Sequence, residues 1–562
     1  MVYNEYMRTI RIGIGQINTT VGDIKGNCEK VIEYIKKAER EKVDILSFPE
    51  LTITGYPPED LLLKPNLVEK NIEAISLLEK EVGDIVVIVG FVDSQSSLLY
   101  NSSAILHNGK KVAVYHKILL PNYGVFDEKR YFAPGNSPFI LNLSGVLFGV
   151  NICEDIWYED GPTRIQASKG AKLIINISAS PYHMEKIKER EGIVRQQCIK
   201  NNVFISYANL VGGQDELVFD GSSFIMDSKG NIIQKAEPFK DTLLISDIQL
   251  EESTKDREGT FIRHIYPENR PPVAFSSYKK IMGEEEIYLA LMTGLKDYTL
   301  KNGFKKAILG LSGGIDSSLV ATIATDALGN ENVIGVFMPS RYSSKESEED
   351  AEQLAKNLNI AILKIPIDNI FTAYLETLSP PFSDTKPDIT EENLQARIRG
   401  NILMALSNKF GYLVLTTGNK SEVSTGYCTL YGDMAGGFAV IKDVYKTMVY
   451  KLARYRNSIS SVIPERVFTK APTAELKPGQ KDQDTLPPYE VLDDILKEYI
   501  EKDRSYSEII SSGFDPETVK KVLKMVDRSE YKRRQAPPGV KITPKAFGKD
   551  RRMPITNRFF ST

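Results

Sequence analysis

Two α/β domains in tandem are predicted for this chain of 562 residues. Three observations carry the prediction. Residues 1–265 hold many short apolar runs with few, spaced helices, which points to an α/β sandwich rather than a barrel. Residues 284–562 begin with a regular alternation of strand and helix, the pattern of a parallel, doubly wound sheet. Between them, residues 266–283 include Tyr266-Pro267-Glu268-Asn269-Arg270-Pro271-Pro272 and read as a linker.

In the first half, 9–17 alternates as a strand, 26–42 has helical spacing, and 43–48 is a second strand ending on Pro49-Glu50-Leu51. Further strands are expected at 84–92, 102–107, 111–116, 147–152, 173–177, 204–208 and 221–226. In the second half a helix is expected at 284–299, with strands at 306–311, 333–338, 361–366 and 412–416. Helices at 316–328, 344–357 and 391–409 separate those strands.

Composition excludes several classes. With 42% hydrophobic residues the chain has enough apolar surface for two cores. A net charge of −3 gives no reason to expect nucleic acid or a membrane as partner. No run of about 18 apolar residues occurs and residues 1–11 lack a secretory pattern, so a cytoplasmic location is expected. Cys28, Cys153, Cys198 and Cys428 form no C-x-x-C pair and there are four histidines, so neither a disulfide framework nor a structural zinc site is expected.

The run Ala307 to Leu311 meets Ser312-Gly313-Gly314-Ile315-Asp316-Ser317-Ser318, a strand followed by a glycine turn and a helix start. Such a turn gathers backbone N–H groups at a positive helix end, an anion site, with Asp316 able to hold Mg²⁺. The string lacks the lysine of a Walker loop and the G-x-G-x-x-G spacing of a dinucleotide fold. It resembles the pyrophosphate loop of the ATP pyrophosphatases, which implies ATP contacts at Gly310, Leu311, Ser312, Gly313, Gly314, Ile315, Asp316 and Ser317.

Three residues end strands in the first half: Glu50, Lys117 and Cys153. Strand ends facing a shared cleft are where a scaffold holds reactive groups. Phe48-Pro49-Glu50-Leu51, His116-Lys117-Ile118-Leu119-Leu120-Pro121-Asn122-Tyr123 and Asn151-Ile152-Cys153-Glu154-Asp155 resemble the three blocks of the nitrilase (carbon–nitrogen hydrolase) superfamily. The resemblance implies an α-β-β-α sandwich and amide hydrolysis. Cys153 would be the nucleophile, Glu50 its base, and Lys117 the donor to the oxyanion, with Glu128 holding the lysine. It narrows to the glutaminase subgroup fused to a synthetase, implying that Tyr123, Ser180 and Lys186 hold L-glutamine.

In the second half, Glu391 to Asn401 and Leu415-Thr416-Thr417-Gly418-Asn419-Lys420-Ser421-Glu422 resemble the NAD synthetase family, as do Ala471-Pro472-Thr473-Ala474-Glu475-Leu476 and the basic run Tyr531 to Gln535. That likeness implies an adenine nucleotide α hydrolase-like fold. Thr417, Lys446 and Thr473 would contact ATP, and Asp316 with Glu422 would hold Mg²⁺. Asn393, Arg397, Glu422 and Lys532 would face deamido-NAD. At Thr429-Leu430-Tyr431 the chain departs from the short, ammonia-using form, so no contact is carried over there. Together the halves resemble the glutamine-using NAD synthetases, which implies homo-oligomers, octamers among them. Two other readings stand beside this one: a different ATP-pyrophosphatase amidotransferase, and a nucleotide-sensing protein without turnover.

Overall fold

The computed structural model describes residues 7–253, 259–273 and 280–559. The chain divides into two compact units. One comprises Met1–Gln214 and Val218–Lys280, the other Asp215–Leu217 and Ile281–Thr562.

The first unit runs β1 (Met7–Gln16), α1 (Ile24–Arg40), β2 (Ile45–Ser47), α2 (Pro65–Glu81), β3 (Val86–Gln95), β4 (Leu98–His107) and β5 (Lys110–His116). It continues with β6 (Ile140–Leu143), β7 (Val146–Ile152), α3 (Pro162–Ser168), β8 (Leu173–Ser178), α4 (Lys186–Asn201) and β9 (Phe204–Asn209). The remaining strands are β10 (Val211–Gln214), β11 (Leu217–Asp220), β12 (Phe224–Met226), β13 (Ile232–Lys235), β14 (Thr242–Glu251) and β15 (Thr260–Ile262). Six strands form one sheet in the order β14-β1-β2-β3-β4-β5, and seven form another, β13-β12-β9-β8-β7-β6-β15.

Period-2 alternation decides what each sheet faces. Ile10, Ile12, Ile14, Val86 and Ile88 share a core with Phe148, Val150, Ile152, Ile175 and Ile177 of the other sheet. Their neighbours Val87, Val89 and Phe91 point the opposite way, against Val31, Ile35, Ile75 and Leu78 of α1 and α2. Behind the second sheet, Ile174 and Ile205 pack on Val194 and Cys198 of α4. The result is an α-β-β-α sandwich, as the resemblance implies.

The second unit contains α5 (Glu284–Lys301), β16 (Ala307–Gly310), α6 (Ile315–Leu328), β17 (Val333–Phe337), α7 (Lys345–Leu358), β18 (Ala361–Lys364) and α8 (Asp368–Leu378). It continues with α9 (Ile389–Phe410), β19 (Leu413–Thr416), α10 (Lys420–Thr425), β20 (Phe438–Ala439) and α11 (Lys446–Ile459), followed by helices between 465 and 533. The sheet order is β18-β17-β16-β19-β20, and all its pairings are parallel. Ile308, Val336 and Val414 pack against Phe371, Ile398 and Leu403 of α8 and α9. The order reverses between β16 and β19, and that switch point is where open α/β sheets bind ligands.

Several expectations change. The strand expected at 221–226 begins only at Phe224, because Gly221 and Ser222 take φ values of +65° and +52°. A Cβ on Gly221 would lie 2.3 Å from Gln16 Cδ, so glycine is required there. Helix α4 is not announced by the sequence pattern, because its buried face carries Arg190 and Gln197 among Ile187, Val194 and Cys198 and breaks the apolar stripe. Helix α2 and strand β14 are likewise additions to the elements the sequence predicts. Part of the Pro-rich stretch is fastened to the first unit. There Arg270 Nη2 donates to Asp44 Oδ1 at 2.8 Å. Residues 274–279 of the expected linker lie outside the described residues.

Candidate active sites

In the first unit, Glu50 lies beyond β2, Lys117 directly after β5, and Cys153 directly after β7. All three side chains are buried. Lys117 Nζ donates to Glu50 Oε1 at 2.7 Å and to Glu128 Oε1 at 2.8 Å. Asn101 Nδ2 donates to the same Glu50 oxygen at 2.7 Å, and the Ala179 amide donates to Glu50 Oε2 at 2.9 Å. Glu50 is thus met by three donors. Tyr56 hydroxyl donates to Glu128 Oε1 at 3.1 Å.

Burial opposes the charge on Lys117, but Glu128 and Glu50 outweigh it and hold its pKa well above the usual value. Burial pushes Glu128 up to about 7 against the pull of Lys117. Burial, and then Glu50, push the Cys153 thiol well above its usual range. The sulfur is therefore a thiol at rest and needs a base to become a nucleophile. Cys153 has φ of +45°, a left-handed value that costs a side-chain-bearing residue energy and marks a turn held by its surroundings.

Asp155 couples the turn to the lysine. Its carboxylate accepts from the amides of Ile118 and Leu119 at 3.1 and 2.8 Å, from the Ile152 amide at 3.1 Å and from Tyr115 hydroxyl at 2.9 Å. It binds the chain on both sides of the Lys117–Cys153 pair. On the other side, a Cβ at Gly90 would come within 2.3 Å of the Leu51 amide, so only glycine lets β3 back up the Glu50 turn.

The three residues expected to hold the amino acid lie around this centre. Tyr123, 55% exposed, donates its hydroxyl to Glu154 at 3.1 and 3.0 Å. Lys186 opens α4 and lies 4.0 Å over the Trp157 ring, with burial lowering its pKa against the pull of Glu189. Ser180 follows β8, where its amide donates to Asn209 Oδ1 at 2.9 Å. Sequence reasoning does not single out Asn101, Tyr56, Glu154, Asp155 or Trp157. Glu154, Asp155 and Trp157 stand within four residues of Cys153, a proximity that could have found them; Asn101 and Tyr56 carry no local signal.

In the second unit, the Ser312–Ser317 turn joins β16 to α6 at the switch point. Gly313 has φ of +75°, and a Cβ there would meet the Ser347 carbonyl oxygen at 2.3 Å. Ser317 Oγ donates to the Gly314 carbonyl at 3.1 Å, which closes the turn. The Leu311 amide is spent on the Val336 carbonyl at 2.9 Å, so sheet pairing occupies that N–H. Gly310 precedes the turn, and Ile315, within it, begins α6 and is buried.

Two cavities share Ser312, Asp316, Glu422 and Thr473. One adds Lys446, Lys470 and Asp482; the other adds Thr417 and Arg399. Lys446 pairs with Asp316 and lies 3.5 Å from Glu422 Oε1, while Asn419 Nδ2 donates to Asp316 Oδ1 at 2.9 Å. Burial pushes Glu422 up to about 8 despite Lys446. Burial opposes the charge on Lys446, and Asp316 and Glu422 raise its pKa above the usual value. Asp316 and Glu422 present hard carboxylate oxygens beside Lys446, and Asp482 lines the same cavity; oxygen donors of this kind suit Mg²⁺.

Asn393, Arg397 and Lys532 brace one loop. Thr429 donates to Asn393 Oδ1 at 2.8 Å and Arg397 Nε donates to the Leu430 carbonyl at 3.3 Å. Lys532 Nζ donates to the carbonyls of Gly426 and Cys428 at 2.8 and 2.7 Å. Arg399, Lys470 and Asp482 are site residues that the sequence does not mark. Arg399 sits on the expected helix but turns inward, its Nε on the Met338 carbonyl at 3.0 Å, and burial lowers it to about 10.

The sequence profile of the carbon-nitrogen hydrolases matches residues 11–258, and that of NAD synthase matches residues 287–536. The first unit thus carries a carbon–nitrogen hydrolase domain and the second an NAD synthase domain. A glutamine-dependent NAD(+) synthetase of Thermotoga maritima is 51% identical over 98% of this chain and 99% of its own. One from Aquifex aeolicus is 50% identical over 98% of this chain and 100% of its own. The glutamine-dependent NAD+ synthetase of Acinetobacter baumannii, solved in complex with ADP, is 43% identical with a TM-score of 0.75, covering 99% of this chain and 100% of its own. The chain belongs to the glutamine-dependent NAD(+) synthetases.

Proposed function

We propose that this chain hydrolyses L-glutamine at Cys153 and uses the ammonia, with ATP, to convert deamido-NAD to NAD. The observation that carries the reading is Lys117, an ammonium sealed between Glu50 and Glu128 beside a strained cysteine. Full-length likeness to glutamine-dependent NAD(+) synthetases supports the second half of the reaction.

Glu50 takes the proton from Cys153 Sγ, and the thiolate attacks the glutamine side-chain carbonyl. The oxyanion forms against Lys117 and a backbone N–H near Cys153. Collapse breaks the C–N bond, Glu50 returns its proton to the nitrogen, and ammonia leaves a thioester. Glu50 then removes a proton from water, which hydrolyses the thioester to glutamate. Tyr123, Ser180 and Lys186 hold the amino acid during these steps.

At the second site the nicotinate carboxylate of deamido-NAD attacks the ATP α-phosphate, giving an adenylate and pyrophosphate. The carboxylate alone would have to expel oxide; the adenylate expels AMP when ammonia attacks. The N–H groups of the Ser312–Ser317 turn, with Thr417, Lys446 and Thr473, hold the phosphates. Asp316 and Glu422 would hold Mg²⁺, which when bound offsets phosphate charge. Asn393, Arg397, Glu422 and Lys532 face deamido-NAD, and contacts of Asn393, Arg397 and Lys532 to the 426–430 segment support their positions.

The boundaries 1–265, 266–283 and 284–562, a homo-oligomeric assembly and a cytoplasmic location belong to the same proposal; the division into two compact units near residue 280 supports the domain boundary. Two measurements test it: sedimentation for the assembly, and NAD formation from deamido-NAD, ATP and Mg²⁺ for the chemistry. With Cys153→Ala, the glutamine-driven rate falls to background and the ammonium-driven rate is retained. Failure of the parent chain with both nitrogen sources overturns the synthetase reading.

A further inference from the structure

Asp84, His107 and His264 converge at one corner of the sandwich, on residues that neither candidate active site uses. Asp84 precedes β3 and His107 ends β4, in the six-stranded sheet; His264 follows β15, an edge of the seven-stranded sheet. Positions 84, 107 and 264 form no spacing motif, and the sequence reading against a zinc site rests on the cysteine spacing and the four histidines. One donor atom from each lies within 4.8 Å of the other two. Among the described residues this is the one group of three or more such side chains found in that arrangement.

The His264 tautomer points a lone pair inward. His264 Nε2 lies 2.9 Å from Asp44 Oδ1, on a buried carboxylate that also accepts from Arg270 and the Arg11 amide, so the ring proton sits on Nε2. His264 Nδ1 is left with a lone pair, and it is a buried atom without a hydrogen-bond partner. It aims at Asp84 Oδ1, 3.6 Å away. A carboxylate fixing the far nitrogen of an imidazole is the outer-shell arrangement of metal-ligating histidines.

His107 completes the corner. Its Nδ1 lies 3.4 Å from the Ile85 carbonyl, which can accept a proton held there, and its Nε2 lies 3.6 Å from Asp84 Oδ1. Nε2 also lies 2.9 Å from the Arg263 carbonyl oxygen, which can accept its proton. Four ligands about 2.0–2.1 Å from a tetrahedral ion lie about 3.3 Å from one another. The two 3.6 Å separations are close to that value, and the third pair lies within 4.8 Å.

We infer that Asp84, His107 and His264 form a site for a borderline divalent cation, Zn²⁺, that clasps the two sheets of the first unit. Imidazole nitrogens with one carboxylate suit Zn²⁺ rather than Mg²⁺ or Ca²⁺. Binding moves the single ring proton of His107 from Nε2, where the Arg263 carbonyl accepts it, to Nδ1 beside the Ile85 carbonyl, and frees the Nε2 lone pair for the ion. The inference is independent of the proposed reaction.

The test is Zn²⁺ titration of the chelator-stripped full chain against a chromophoric chelator, with melting measured alongside. Parent, Asp84→Ala and His264→Ala are compared, and Asp84 is half-exposed, so its variant tests binding without disturbing a core. The expected result is one tight Zn²⁺ in the parent that raises its melting temperature, weakened at least about tenfold in Asp84→Ala and lost in His264→Ala. Co²⁺ in its place shows the visible bands of nitrogen and oxygen ligation, without a thiolate charge-transfer band. Equal Zn²⁺ uptake by parent and both variants, no uptake by the parent, or a thiolate band from the cysteines overturns the inference.

Discussion

Lys117 Nζ and Glu50 Oε1 stand 2.7 Å apart with neither side chain exposed to solvent. The ammonium is shared with Glu128, so one cation serves two buried carboxylates. Removing it would leave two acids facing each other without compensation, a change of the kind that costs about 3–5 kcal/mol in a buried ion pair. Lys117→Met is expected to lower glutaminase turnover by about 10²–10³-fold, the cost of losing an oxyanion donor. Ammonium-driven NAD formation is retained wherever the variant folds. Glutamate release and thermal melting, measured together, separate the catalytic loss from the structural one.

Glu128 gives a pH signature. Its folded pKa, about 7, lies above the usual carboxyl value because burial outweighs Lys117. Between the ordinary value near 4.5 and about 7, the native state holds a proton that the unfolded chain has released. The native state therefore binds more protons in that window, and stability falls as pH rises through it. Glu128→Gln removes this contribution. The difference in melting temperature between variant and parent is expected to move in the variant's favour from pH 4.5 to pH 7. A flat difference across the window refutes the assignment.

Tyr123 reaches the active-site turn through Glu154, to which its hydroxyl donates at 3.0 Å. If it holds the substrate, Tyr123→Phe raises the KM for glutamine by about ten- to a hundredfold, the worth of a hydrogen bond to a charged group. The kcat and the ammonium-driven rate change little. A fall in kcat at constant KM would make Tyr123 a structural support for Glu154 instead.

Gly313 separates the two chemistries. Its φ is +75°, and the Ser347 carbonyl oxygen lies 2.3 Å from the place an alanine Cβ would take, so Gly313→Ala must displace the turn. The expected outcome is loss of ATP-dependent pyrophosphate release by about 10²-fold or more, since phosphate contacts depend on positioning. Glutamine hydrolysis by the same protein continues. Parallel pyrophosphate and glutamate assays read the two activities.

Much of this was legible in the sequence because apolar alternation and glycine turns are local signals. Strands β1, β7, β8, β16 and β19 are apolar runs bounded by turn residues, and both reactive turns follow such runs directly. Helix α4 was illegible because Arg190 faces inward and pairs with Asp220, 30 residues away, so the chain reads as polar where the fold reads as buried.

The sequence by itself determined the two α/β domains, the order of the strand-ending residues Glu50, Lys117 and Cys153, and the Ser312–Ser317 turn, because each rests on neighbours in the chain. Only the tertiary structure decided which groups act on them. Asn101 meets Glu50 across 51 residues, Lys446 meets Asp316 across 130, and Asp44 orients His264 across 220. Contacts of that span depend on sheet order and on which face each side chain takes, so no local pattern announces them.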